Sequence, residues 1–184
     1  MKESKHVCPW WLCFTFDNPL RKWLHDPEAI LPPYVRPGDR VIDIGAGMGY
    51  FSIPLARLAG ESGQVTAIDL QPQMLAALIK RARRAGVAER VKTHLAAPDS
   101  LGEHQPADFV LAFWMVHEVP DQQRFLTEIS RMLQPGGRFL LVEPKIHVSK
   151  KNFERTLETA QAAGFSLQES PKIRWSHSVL LGGN

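Results

Sequence analysis

Short apolar runs recur along residues 38–181 and predict the strands of one regular domain. The first four runs cover Arg40–Ile44, Gln64–Asp69, Val91–Leu95 and Ala107–Phe113. The fourth is apolar at nearly every position, which is typical of a strand buried on both faces of a sheet. Three later runs predict further strands at Arg138–Glu143, Phe165–Leu167 and Lys172–Leu181.

Segments with apolar residues at helical spacing separate these runs. They predict one helix at Tyr50–Leu58 and a second that begins at Pro72 and ends before Gly86. A third begins at Pro120, runs through Leu133 and is broken by Pro135-Gly136-Gly137, and a fourth covers Ser149–Ala163. Proline fits the first turn of a helix and glycine fits its end. Because strands alternate with helices, we predict an α/β fold with a doubly wound parallel sheet and helices on both faces.

The first 37 residues have a different composition. They contain several prolines and the aromatic residues Trp10, Trp11, Phe14, Phe16 and Trp23. Such a segment would expose too much apolar surface as a free tail. We therefore expect residues 1–37 to pack on a domain formed by residues 38–184 and to act as a lid over a ligand.

Composition and charge narrow the function classes only slightly. The chain has 184 residues, a formal net charge of +3 and two cysteines, Cys8 and Cys13. Two cysteines form no disulfide framework, so we expect a reducing, cytoplasmic setting. With His6 they provide fewer than the four ligands of a structural zinc site, so no metal is expected. No run is long and apolar enough to span a membrane.

A basic cluster on the second predicted helix is the main candidate for nucleic-acid contact. Its members are Lys80, Arg81, Arg83 and Arg84. Such a cluster is usually a solvated helix face, and the small net charge does not argue for a nucleic-acid partner. We expect a small-molecule partner instead.

The loop after the first predicted strand carries the most informative motif. Glycine stands at every second position, at Gly45, Gly47 and Gly49, and Asp43 lies two residues before the first of them. The spacing is G-x-G-x-G, whereas the dinucleotide fingerprint is G-x-G-x-x-G. A carboxylate at this place would repel a pyrophosphate and attract a ligand that carries an ammonium and a sulfonium. S-adenosylmethionine (SAM) fits both observations, and a plain turn between strand and helix is the alternative.

Other polar residues follow the neighbouring strands. Asp69 ends the second predicted strand, Asp99 follows the third, and the loop 113–118 follows the fourth. In an open parallel sheet, ligands bind at the carboxyl ends of the strands, beside the point where the strand order reverses. These residues therefore predict one site at one edge of the sheet.

With these motifs in order, the chain resembles the class I SAM-dependent methyltransferases of the small, seven-stranded type. The matching stretches are Val41–Tyr50, Ala67–Asp69, Phe109–Val119 and Leu133–Phe139. The subgroup that it resembles is methyltransferase type 11, which includes the ubiquinone and menaquinone biosynthesis enzymes. The resemblance implies a Rossmann-like, mostly parallel sheet with strand order 3-2-1-4-5-7-6 and an antiparallel strand seven.

The resemblance also implies a role for each matching position. The backbone of Gly45, Ala46 and Gly47 would line the methionine part of SAM, and Asp43 would face its ammonium. Asp69 would accept hydrogen bonds from both ribose hydroxyls, and Leu70 would pack on the adenine. The implied cofactor set also includes Gly49, Tyr50, Ala97, Asp99 and Phe113.

One position departs from the family pattern. The acid that usually follows strand three falls on Ala97, and Pro98 comes next with no N–H group to donate. Asp99 either replaces that acid at the adenine or caps a helix. Both interpretations remain open from the sequence.

His117 is the candidate catalytic residue, because it follows the fourth strand where the methyl group is expected. Its neutral ring can accept a proton near pH 7. The alternative is a histidine that shapes the loop or bonds to backbone. Trp114 either walls the site or lies in the core, and Glu118 suits the start of the next helix.

The function that the resemblance implies is methyl transfer from SAM to a small molecule, with S-adenosylhomocysteine (SAH) as the product. RNA or protein methylation and a non-catalytic SAM-binding module are the alternatives. An NAD-dependent oxidoreductase is disfavoured by the loop spacing and by Asp43. No residue set in the sequence is diagnostic of one acceptor or of one oligomeric state.

Overall fold

The computed structural model of the protein describes residues 23–183, which contain one seven-stranded sheet in the order β3-β2-β1-β4-β5-β7-β6. The strands are β1 Arg40–Ile44, β2 Gln64–Asp69, β3 Val91–Leu95, β4 Ala107–Phe113, β5 Leu133–Pro144, β6 Ser166–Glu169 and β7 Ser176–Gly182. The helices are α1 Pro27–Ile30, α2 Ser52–Ala59, α3 Pro72–Arg84, α4 Gln122–Met132 and α5 Lys150–Ala162, with short 3-10 helices at Ala88–Arg90 and Val116–Glu118. Within the described part of the chain, no helix is long and apolar enough to cross a membrane.

The strand directions confirm the predicted fold. β3, β2, β1, β4 and β5 pair in parallel, and β7 pairs antiparallel with both β5 and β6. Successive side chains of a strand point to opposite faces, so each strand feeds two cores. Phe109 belongs to one buried cluster and the next residue, Val110, belongs to the other. Both faces of the central strands are therefore covered, as their continuous apolar sequence predicts.

The prediction was wrong at the junction of α4 and β5. The helix was expected to run from Pro120 through Leu133, but it begins at Gln122, with the Asp121 side chain as its cap, and ends at Met132. Leu133 starts β5 and pairs with Ala107, after which the register shifts at Phe109. Gly136, with a φ of 78°, lets the Pro-Gly-Gly turn form inside the strand instead of before it.

The last two strands also differ from their predicted bounds. The seventh was expected from Lys172, but it begins at Ser176, because Trp175 has a φ of 59° and leaves extended geometry. β6 lies at the sheet edge and is exposed along its length. The first long helix, α2, begins at Ser52, two residues later than predicted.

The described part of the N-terminal segment, residues 23–37, packs on the sheet. Leu31, Tyr34 and Val35 are buried in the same cluster as Phe109, whose ring stacks on that of Tyr34 at 5.9 Å. Leu31, Tyr34 and Val35 therefore lie in the core beside the sheet, while packing of the whole segment 1–37 stays a prediction. Trp10, Trp11, Phe14, Phe16 and the candidate metal ligands His6, Cys8 and Cys13 lie outside the described residues.

Candidate functional site

The loop after β1 lies against the end of β2. The N–H groups of Gly45 and Ala46 both donate to the carbonyl oxygen of Ile68, at 2.9 and 3.0 Å. β1 and β2 are parallel neighbours, so their carboxyl ends share one edge of the sheet. The glycine loop and Asp69 therefore meet, as the sequence predicts.

Gly47 and Gly49 serve different purposes in this loop. Both have positive φ, at 53° and 84°. A Cβ on Gly49 would lie 2.8 Å from Cγ of Leu78, so this glycine allows the loop to pack closely on α3. Among residues 23–183, a Cβ on Gly47 would meet no atom within 4 Å. The open face of the loop is therefore at Gly47, where a ligand can lie against bare backbone.

Asp69 is fixed by backbone donors. Its Oδ2 accepts the N–H of Gly47 and its Oδ1 accepts the N–H of Gln71, each at 2.8 Å. Burial raises the pKa of Asp69, while these N–H groups oppose that rise. Each carboxylate oxygen has a second lone pair, so both can still accept ligand hydroxyls. The next residue, Leu70, is 41% exposed and offers an apolar surface beside the carboxylate.

Asp43 is held inside the protein beside the glycine loop. Its side chain is 2% exposed, and its Oδ2 accepts the hydroxyl of buried Ser52 at 2.5 Å. Ser52, in the first turn of α2, was not predicted to take part. Its only sequence signal is a hydroxyl residue nine positions after a buried acid.

The segment after β3 forms a tight turn in which Ala97 and Ser100 exchange backbone hydrogen bonds at 3.0 and 3.2 Å. No helix begins between β3 and β4, so the interpretation of Asp99 as a helix cap was wrong. The Asp99 side chain is 75% exposed and lies 3.6 Å from the Arg124 guanidinium. Its contact with adenine stays a prediction.

Phe113 and Tyr50 contact the N-terminal segment. Phe113 is buried, with its ring 4.4 Å from that of Phe51 and 5.2 Å from that of His25. The Tyr50 hydroxyl donates to the carbonyl of His25 at 3.1 Å. His25 is itself buried, and its Nε2 lies 2.8 Å from the carbonyl of Arg174. Sequence reasoning missed His25, which anchors residues 23–37 beside the end of β4.

Trp114 takes a strained backbone conformation at the end of β4. Its φ is 61°, which is unfavourable for a bulky L-residue. Three contacts hold it: its N–H donates to Val142, its indole N–H donates to the Ser176 hydroxyl, and its ring lies 4.6 Å from that of His25. Trp114 is half-buried, which lies between the two predicted placements, a wall of the site and the core. After it the chain enters the Val116–Glu118 turn.

His117 pairs with an acid that the sequence analysis did not single out. Its Nδ1 lies 2.6 Å from Oε2 of Glu143, which is buried at the end of β5. The hydrogen bond to Glu143 raises the pKa of His117, burial opposes this, and the charges of Glu143 and Glu118 add to the rise. Glu143 carries the same signal as Asp43 and Asp69, an acid at the carboxyl end of an apolar strand.

Comparisons with known proteins agree with this geometry. A methyltransferase domain family matches residues 36–176. The ubiquinone/menaquinone biosynthesis C-methyltransferase UbiE of Haemophilus ducreyi is 33% identical over 114 residues, which are 59% of this chain and 42% of that protein. The ribosomal protein L11 methyltransferase of Geobacillus kaustophilus is 34% identical over 143 residues, which are 76% of this chain and 41% of that protein. The chain thus spans about two fifths of the length of these two relatives.

A solved structure extends the agreement to the whole fold. The SAM-dependent methyltransferase from Aquifex aeolicus superposes with a TM-score of 0.84 at 22% identity, over 97% of this chain and 100% of that one. The strand order of the present chain is the one that the sequence resemblance implied, with β7 antiparallel between β5 and β6. Since the family match covers most of the chain, this protein belongs to the class I SAM-dependent methyltransferases.

Proposed function

We propose that this enzyme transfers the methyl group of SAM to a small-molecule acceptor and releases SAH. The observation that carries the proposal is the open face of Gly47 beside Asp69, whose two oxygens are oriented by backbone N–H groups. A small acceptor is supported by the similarity to UbiE, whose name describes C-methylation in quinone biosynthesis.

We assign the cofactor contacts as follows. The Asp69 carboxylate binds the ribose hydroxyls, exposed Leu70 packs on the adenine, and the backbone from Gly45 to Gly47 lines the methionine part. The buried charge of Asp43 favours a cationic ligand at the loop and disfavours a phosphate. Asp99 contacts the adenine from the turn after β3, while Gly49, Tyr50, Ala97 and Phe113 shape the walls of the site.

The chemistry at this site is dominated by positioning. SAM supplies an electrophilic methyl group on a positively charged sulfur. The chain's own contribution is to hold the acceptor in line with that methyl group, which converts a bimolecular encounter into an effectively unimolecular step. His117 lies at the end of β4, on the same edge of the sheet as Asp69, and acts as general base for an acceptor that must lose a proton.

Methylation of protein or RNA is the second candidate. It is favoured by the similarity to a ribosomal protein L11 methyltransferase. The basic residues of α3, from Lys80 to Arg84, are the surface on which an RNA would bind. The small net charge argues against this candidate, and a steep fall of RNA affinity with salt would support it.

The domain division remains part of the proposal. Residues 38–184 form the catalytic domain, and residues 1–37 form a segment that covers the acceptor. His25, Tyr34 and Val35 are buried, so the described part of the segment is firmly attached to the sheet. The lid, with Trp10, Trp11, Phe14, Phe16 and Trp23 as its aromatic positions, stays a prediction, and residues 1–22 lie outside the described part of the chain.

Calorimetric titration with SAM, SAH and NAD tests the proposed function. SAM and SAH should bind and NAD should not. Asp69→Asn should weaken SAM binding at least about tenfold, or ~1.4 kcal/mol. Asp39→Asn is the matched control, because Asp39 also accepts a backbone N–H, that of Arg36 at 2.8 Å, but precedes β1 at the opposite edge. Binding of NAD in preference to SAM would contradict the proposal.

A further inference from the structure

We propose that Glu143 is a positioning residue that holds His117 ready to take a proton from the hydroxyl group of a phenol or enol acceptor. The inference rests on the proposed methyl transfer and names the substrate class of that same site. Glu143 is 1% exposed, and a carboxylate is rarely buried so fully unless it has partners. Its partners all belong to the turn that carries His117.

The carboxylate of Glu143 fixes the backbone of this turn as well as the ring. Oε1 accepts the N–H of Val116 at 2.9 Å, and Oε2 accepts the N–H of His117 at 3.2 Å as well as contacting its Nδ1. The turn follows Trp114, whose left-handed backbone must be held by its surroundings. One buried group therefore sets the position of the chain and the orientation of the imidazole.

The contact also sets the tautomer of His117. A carboxylate can only accept a hydrogen bond, so Nδ1 carries a proton and its N–H group donates the hydrogen bond to Glu143. In the neutral ring Nε2 then carries the lone pair. The His117 side chain is 24% exposed, so part of the ring is accessible.

The charges around His117 define when the ring is a base. Glu143 on β5 and Glu118 on the same turn are negative and raise the pKa of His117, whereas burial lowers it. The ring of His147, which follows β5, stacks on that of His117 at 5.8 Å. Because the balance raises the pKa of His117, the neutral form increases as the pH rises through a value above 6.5.

This base suits an acidic hydroxyl. A phenol such as the tyrosine side chain has a pKa of about 10, roughly three to four units above the pKa of an ordinary histidine. An alkanol resembles water, whose pKa is about 16, so its hydroxyl releases a proton to an imidazole less readily than a phenol does. His147 is exposed, and its ring, stacked on that of His117, offers a flat surface for a planar acceptor.

The proposed step balances as a displacement with proton transfer. The acceptor oxygen forms a bond to the methyl carbon, the carbon–sulfur bond breaks, and its electron pair stays on the sulfur of SAH. The hydroxyl proton moves to Nε2 of His117 and then leaves to solvent. Glu143 keeps its hydrogen bond to Nδ1 throughout and stabilises the imidazolium that forms.

Nitrogen-15 NMR of the full-length protein tests the positioning without an acceptor. We expect the Nδ1-protonated tautomer of His117 and a pKa above 6.5. Glu143→Gln should lower that pKa by about one unit or more. Glu128→Gln is the control, because Glu128 also accepts a backbone N–H, that of Leu101 at 2.7 Å, but does not contact His117. An Nε2-protonated ring in the wild-type protein overturns the proposal, even if Glu143→Gln does not fold.

Release of SAH from SAM tests the acceptor class. The probes are catechol and 1,4-hydroquinone, with two sulfur acceptors that need no such base: a thioether, which has no proton to lose, and a thiol of low pKa, which is already a thiolate at neutral pH. Transfer to the hydroxylated probes should fall with decreasing pH at the pKa measured for His117. The variant His117→Gln should lower kcat about 100-fold with unchanged SAM affinity. The inference is overturned if methyl transfer occurs only to the sulfur probes, or if His117→Gln methylates the hydroxylated probes as fast as the wild-type protein does. If the wild-type protein does not bind SAM at all, the proposed function itself is overturned.

Discussion

Replacing Gly47 by alanine separates the conformational role of the glycine loop from its role in binding. The new methyl group would meet no atom of the described residues within 4 Å, so the substitution causes no clash with them. It does force an L-residue to a φ of 53°, which costs ~1–2 kcal/mol. For a chain of this size the expected fall in Tm is about 2–8 °C.

Gly86 provides a matched control. It follows α3 with a φ of 71°, and a Cβ there would also meet nothing within 4 Å. Gly86→Ala should therefore cost the same ~1–2 kcal/mol of stability. It lies at the opposite end of α3 from the glycine loop, so its SAM affinity should equal that of the wild-type protein.

The two variants should differ only in binding. In Gly47→Ala the methyl group occupies the space where the cofactor approaches the backbone, so the affinity for SAM should fall at least about tenfold, or ~1.4 kcal/mol. Thermal unfolding by circular dichroism and calorimetric titration measure the two quantities on the same samples. Equal SAM affinities for Gly47→Ala and Gly86→Ala would refute the placement of the cofactor against this loop.

Three further predictions follow from the same structure. Burial raises the pKa of Asp69, so calorimetry should show SAM affinity falling as the pH drops through a value above 3.8, and the Asp69→Asn variant should lose this dependence. Phe109→Ala should lower the free energy of unfolding by ~3–5 kcal/mol in urea, while exposed Ile146→Ala should change it by less than about 0.5 kcal/mol. Deletion of residues 1–22 should keep the circular dichroism spectrum and SAM binding but abolish turnover, and unchanged turnover would rule out the lid.

The first four strands have the predicted bounds because their signal is local. β1, β2 and β4 are short runs dominated by apolar residues, and the run of β4 is nearly continuous because both of its faces are buried. β3 has apolar residues only at its two ends. The later strands were less accurate. The Pro-Gly-Gly turn forms a bulge within β5, and the start of β7 depends on the backbone of Trp175. Both features follow from pairing with strands that are distant in the sequence.

The candidate site was predictable where the sequence marks the ends of strands. The contact of Gly47 with Asp69 spans 22 residues, yet both positions carry a recognisable motif. The contact of His117 with Glu143 spans 26 residues. The implied strand order already places β4 beside β5, but only the structure shows that the Glu143 side chain reaches the turn after β4. The length of Glu143 decides its role, because its carboxylate reaches across to the neighbouring turn.

The two outer strands have a practical consequence for work at high concentration. β6 is a four-residue strand, exposed throughout, that carries Gln168 and Glu169, and β3 presents the solvated side chains of Lys92 and Thr93. Although Leu95 and Leu167 are also exposed there, short strands that carry polar and charged side chains give other molecules a poor template for strand addition. Samples dense enough for calorimetry and NMR should therefore resist the edge-to-edge association by which many β-rich proteins precipitate.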